Sequence, residues 1–311
     1  MRMYKTSAFI LDEDLSETWV GISWGYGIRE GLGIGVTQYV PFRYHKSGFQ
    51  TTLQNLKPDG SLKPASDLRY YDNANWRLLW KAGATFDYER GSLGMTFTTP
   101  SIRFYHEGEL GVNKAIAGVD LDEGGTDNTL MAVDYASEVE SDYRTPFSLG
   151  LAATYPFGSS RLHLSAEWFD AVDKCTVMDA GDFVAQSSGD TLSNRLTHEL
   201  DSVLNFGVGI EHSLKETFEV YGGFATDYSA RKEGTDTNLS ITDWHIYSVT
   251  GGAAFSYKRF QYTVGLGYAW GRKGRARRPS EIVDLEQERP GLVSYGEFDY
   301  NSLKGIIGVG L

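Results

Sequence analysis

Cysteine occurs once, at position 175, and proline only eight times in 311 residues. A single thiol excludes an intrachain disulfide framework and a zinc site built from cysteines. The six histidines, at 45, 106, 163, 198, 212 and 245, show no metal-ligand spacing, and no G-x-S-x-G, P-loop or zinc motif is present. No catalytic group, metal or cofactor is therefore expected. Basic excess is also missing: 29 Lys and Arg against 41 Asp and Glu leave a net charge of −12, which excludes the electrostatic footprint of a nucleic-acid binder. No run of about 18–20 apolar residues occurs, which excludes a membrane-spanning helix but leaves open a spanning strand of about 9–11 residues. The opening MRMYKTSAFILDED lacks the apolar core and small-residue cleavage site of a signal peptide.

What the chain does have is glycine (36 residues), aromatic residues (14 %) and a pervasive period of two. In WVGISWGYGIREGLGIGV, residues 19–36, the positions Val20, Ile22, Trp24, Tyr26 and Ile28 alternate with Gly and Ser. The pattern recurs from Trp76 to Tyr88, Phe147 to Tyr155, Leu162 to Trp168, Leu204 to Ile210 and Phe260 to Trp270, and Ser302 to Leu311 alternates to the end. A period of two is the signature of strands. In a soluble sandwich the second face meets water and carries charge. Here it carries mostly Gly, Ser, Thr and Ala. A membrane barrel inverts that logic, placing the bulky face in lipid and the small face in a confined lumen. Closure follows because an open edge in hydrocarbon leaves backbone groups unpaired.

Short connections at 29–31, 89–91, 157–160, 213–216 and 257–259 alternate with long polar stretches near 45–67, 118–128, 172–196, 229–240 and 272–297. These predict short periplasmic turns and long extracellular loops. The fold class expected is all-β, an antiparallel transmembrane β-barrel of about 12 strands (14 if the N-terminus is incomplete), as a single domain over residues 1–311. The segments near 92–118 and 128–156 read as single long strands.

The chain resembles the outer-membrane transporters for hydrophobic compounds, the long-chain fatty-acid and toluene transporter family. The likeness rests on an ordered series: SLGMTF after the turn ERG, then TPFSLGLAATYPFG, LHLSAEWFD, LNFGVGIEHSLKETFEVYGGFATDYSA and YSVTGGAAFSYKRFQYTVGLGYAWG before a closing strand. It covers about residues 17–311. The resemblance implies a monomeric outer-membrane channel of a Gram-negative bacterium that passes hydrophobic small molecules, such as long-chain fatty acids, and releases them sideways through a wall opening. It also implies an N-terminal hatch and about two further strands that this sequence lacks. The alternatives are a diffusion pore for polar solutes and a non-transport surface or adhesion barrel.

Five inward polar residues are candidate substrate contacts: Arg77, Lys81, His163, Glu167 and Asn205. A carboxylate-bearing substrate would pair with Arg77 or Lys81; the structural alternative pairs these bases with Asp87 or Glu219. Pro100 marks a possible wall break, because proline removes a ladder donor. The acidic run Asp120–Asp127 lacks an EF-hand pattern and reads as a solvated loop. The basic run Arg272–Arg278 could meet lipopolysaccharide phosphates or simply be a solvated loop tip.

Overall fold

The computed structural model describes residues 4–56, 58–119, 128–232, 244–277 and 295–310. The described residues form fifteen strands: β1 (Tyr4–Arg29), β2 (Leu32–Leu56), β3 (Leu62–Tyr88), β4 (Gly91–Thr98), β5 (Ile102–Val119), β6 (Asn128–Ala136), β7 (Ser148–Phe157), β8 (Ser160–Phe169), β9 (Val172–Val184), β10 (Thr191–Leu200), β11 (Val203–Lys215), β12 (Phe218–Asp227), β13 (Ile246–Tyr257), β14 (Phe260–Arg277) and β15 (Tyr295–Gly310). No helix occurs among the described residues. Every pairing between these strands is antiparallel.

Eleven strands follow one another side by side in the order β1-β2-β3-β4-β7-β8-β11-β12-β13-β14-β15. That is close to the twelve expected. β1 and β15 end the series, and no pairing joins them among the described residues. The tight turns all lie at one end of the sheet, which by the rule of short periplasmic turns is the periplasmic end.

Cross-strand register sorts the side chains as the alternation requires. Val20, Ile22, Trp24 and Tyr26 on β1, Leu93, Met95 and Phe97 on β4, and Leu204, Phe206 and Val208 on β11 are large and exposed. The opposite face carries an unbroken row of small residues. Gly27 pairs with Gly33, Gly33 with Thr85, Thr85 with Gly94, Gly94 with Ala152, Ala152 with Ser165 and Ser165 with Gly207. The row continues through Ala225, Ser248, Ala269 and Ser302. Exposed apolar side chains on this scale would be an aggregation hazard in water but are what a lipid-facing surface requires. The small row is the inner wall.

The upper part of the molecule corrects the loop expectation. β1, β2 and β3 run to 26, 25 and 27 residues, reaching about 85 Å at about 3.3 Å per residue. The stretch 45–67, read as a loop, is mostly the paired ends of β2 and β3, and 172–196 is mostly the β9–β10 hairpin. Both faces of these extensions carry polar residues, so the apolar alternation that marks a strand disappears while the ladder persists. Residues 120–127, and with them nearly all of the loop expected at 118–128, fall outside the described residues. So do most of the stretches expected at 229–240 and 272–297. The first strand also begins earlier than the alternation suggests, at Tyr4 rather than near Trp19.

Inside this upper part sits a compact core. Tyr71, Leu110, Val139, Val177, Met178 and Leu196 bury one another, with Tyr143 and Ala180 packed against them. Val139 and Tyr143 come from the link between β6 and β7, which folds into the upper interior.

Candidate functional site

The segments expected as single long strands are interrupted. β4 ends at Thr98 and β5 resumes at Ile102; β6 ends at Ala136 and β7 starts at Ser148. Neighbouring strands break at the same height, β8 from β9 at 170–171 and β10 from β11 at 201–202. The register aligns them, since Thr98 pairs with Ser148, Ser148 with Phe169 and Phe169 with Val203. All four breaks lie just above that row, forming one belt of irregular wall across four chain segments.

Proline explains why the ladder fails there. Pro100 lies in the first break and Pro146 in the second, and neither has an N–H to donate. Thr99 makes the last contacts below, its N–H donating to the Trp80 carbonyl at 3.0 Å and its Oγ1 accepting from the Trp80 N–H at 3.1 Å. Side chains then replace the ladder. The Ser101 N–H donates to Thr145 Oγ1 at 2.9 Å, and Thr145 Oγ1 donates to Ser101 Oγ at 2.8 Å.

Arg77 holds both broken segments at once. Its Nε donates to Ser101 Oγ at 2.5 Å, one terminal nitrogen to the Ser101 carbonyl at 2.9 Å, and the other to Asp142 at 3.4 Å. The Arg77 side chain is only 5 % exposed. Its partner is thus Asp142, not Asp87 or Glu219; Glu219 accepts instead from Tyr221 and Ser213. Arg103 adds a contact to the Ser141 carbonyl at 3.1 Å. The link is further pinned by Tyr143, whose ring lies 4.0 Å from the Arg43 guanidinium and 4.9 Å from the His198 ring. Burial pushes the His198 imidazole down to about 4, with Arg43 adding to the effect, and pushes the Cys175 thiol up.

The belt lies within the apolar exterior rather than above it. Ile102 and Phe104, immediately beyond the break, are 59 % and 56 % exposed. Phe97, Phe147 and Trp168 cluster on the outer face beside it, with ring centroids 5.0 and 5.4 Å apart.

Below the belt on the inner side is a cavity of about 890 Å³, floored by the bare backbone of Gly25, Gly35, Gly83, Gly94, Gly150 and Gly207. Lys81, Glu167 and Asn205 line it. Glu167 accepts from Ser148 Oγ at 3.1 Å, and Asn205 Oδ1 accepts from the Tyr228 N–H at 2.7 Å. The structure therefore gathers three of the five polar candidates around one space. His163 lies further toward the periplasmic end, 3.3 Å from Thr154 Oγ1 and 3.5 Å from Glu211. Arg77 lies in the belt. Ser101, Asp142 and Thr145 were not singled out from the sequence; the available signal was a second proline, Pro146, closing the polar run SEVESDYRTP where alternation lapses.

No protein-family model matches the chain, and a search of curated protein sequences gives no match either. Among solved structures, the Ralstonia pickettii toluene transporter TbuX superposes with a TM-score of 0.52 at 13 % identity, over 96 % of this chain and 67 % of that one. The Pseudomonas putida toluene transporter TodX matches at a TM-score of 0.41 and 11 % identity, over 99 % of this chain and 87 % of that one. A Pseudomonas aeruginosa FadL homologue matches at 0.40 and 13 %, over 92 % and 76 %. The likeness to TbuX shows the fold alone: all-β and antiparallel, of the outer-membrane β-barrel type.

Proposed function

We propose that this chain is a passive outer-membrane channel for hydrophobic small molecules, which leave its lumen sideways into the lipid through the irregular belt at Pro100 and Pro146. The observation that carries the reading is the position of that belt. It borders the glycine-lined cavity on the inside and exposed apolar side chains on the outside. A hydrophobic solute moving sideways there never re-enters water, so the roughly 25 cal/mol per Å² favouring its removal from water is retained along the route. The structural neighbours, transporters and channels for toluene and monoaromatic hydrocarbons, support the same class of solute. The reading involves no catalytic step, metal or cofactor.

Within that class, Lys81 favours solutes that carry a carboxylate at one end, such as long-chain fatty acids. Lys81 lines the cavity with Glu167 in a wall otherwise largely small and uncharged, and a partly desolvated ion pair is stronger than one in bulk water. Arg77 is assigned to the wall rather than to the solute.

The test is mass spectrometry of apolar molecules co-purified with the barrel from native membranes, paired with solute entry into liposomes carrying it. A bound fatty acid or hydrocarbon with no passage of sugars supports the channel. An empty barrel that passes sugars replaces it with a pore for polar solutes.

A further inference from the structure

The hairpin β9–β10, above the lipid-facing belt, pairs Cys175 directly with His198. Both side chains are buried, His198 completely, and neither imidazole nitrogen has a hydrogen-bond partner. A buried polar atom left unpaired is destabilising, and this ring carries two. Directly opposed residues of an antiparallel pair hold their Cβ atoms about 4.5–5.5 Å apart. The two side chains therefore project from the same face of the hairpin, where bonds of about 2.0–2.3 Å to nitrogen and sulfur let one ion bridge them.

We propose that Cys175 and His198 form a two-coordinate site for a soft monovalent cation of the Cu(I) type. Three observations select that class. Soft thiolate sulfur with imidazole nitrogen suits Cu(I), whereas calcium and magnesium require oxygen ligands. Among the described residues no set of three or more His, Cys, Asp and Glu could hold a metal ion, so a four-ligand zinc site is not on offer. Charge fits as well. Binding exchanges the thiol proton for the cation, Cys–SH + Cu⁺ → Cys–S–Cu + H⁺, so the occupied site is as neutral as the empty one. That matters beside the Arg43 guanidinium, which lies 4.0 Å from the Tyr143 ring that itself contacts His198. A divalent ion would add a buried positive charge there. Met178 is not a ligand, because its Cε lies against Gly108 on β5.

The site is independent of the transport reading and is tested on the full-length barrel in detergent under anaerobic conditions. Cu(I) is delivered from a chromophoric chelator that competes for it. One Cu(I) per chain is expected, lost in Cys175→Ser and weakened at least about tenfold in His198→Gln. X-ray absorption of the copper-loaded wild-type protein should give one sulfur and one nitrogen neighbour, a result that needs no variant to fold. Uptake unaffected by His198→Gln, sulfur-only or oxygen-rich coordination, or no uptake at all would overturn the assignment.

Discussion

The Arg77 guanidinium donates to both the hydroxyl and the carbonyl of Ser101, and no other side chain among the described residues bonds both Ser101 and Asp142. One buried cation therefore substitutes for the ladder that Pro100 and Pro146 cannot make. Arg77→Gln keeps a polar side chain but loses the fork that reaches both segments. The variant should unfold more easily by about 1–3 kcal/mol, the cost of unmaking buried hydrogen bonds to a charged group. It should also pass hydrophobic solutes faster, because the belt is less firmly held. Denaturant unfolding followed by the gel mobility of unheated samples measures the first effect, and uptake of a radiolabelled hydrocarbon the second.

Lumen glycines differ in what a side chain would meet. A Cβ at Gly94 would touch only the Ala152 Cβ, at 3.8 Å, whereas one at Gly150 would come within 2.5 Å of Thr96 Oγ1. Gly94→Leu should therefore assemble normally and slow uptake several-fold by filling the cavity. Gly150→Leu should assemble poorly. Comparing membrane-inserted yield with uptake per inserted barrel separates the two.

Lys81 gives a prediction about solute choice. Lys81→Met preserves the length and apolar stem of the side chain and removes its charge. Uptake of fatty acids should fall about tenfold or more, while neutral aromatic hydrocarbons should be unaffected. Equal losses for both would mean that Lys81 shapes the wall rather than meeting a carboxylate.

Tyr143 is held between Arg43 and His198 and is partly buried. Tyr143→Ala should free the 137–147 link without disturbing the strands below. Limited proteolysis should then cut within that link, and hydrogen exchange of the Val139 and Asp142 amides, bonded to the Gly108 and Val177 carbonyls in the intact protein, should accelerate.

Much of this was legible in the sequence because the membrane imposes a binary pattern. Val20, Ile22 and Trp24 must face lipid, so their spacing marks a strand and its face together. The extensions of β2 and β3 escaped notice because His45, Ser47, Asp67 and Asn73 are polar on an inner face where lipid imposes nothing. Pro100 could be read as a break, since its missing N–H is a property of the residue alone. The Arg77 clasp could not, because Asp142 lies 65 positions away and reaches it only where two broken segments meet.

The most direct test of sideways exit is to lock the belt. Ser101 and Thr145 already share a side-chain hydrogen bond at 2.8 Å, so their side chains meet across the belt. In a Cys175→Ser background, Ser101→Cys with Thr145→Cys should close the belt on oxidation, stop hydrocarbon uptake, and regain it when a reductant opens the bond. Undiminished uptake through the oxidised, cross-linked barrel would contradict the account.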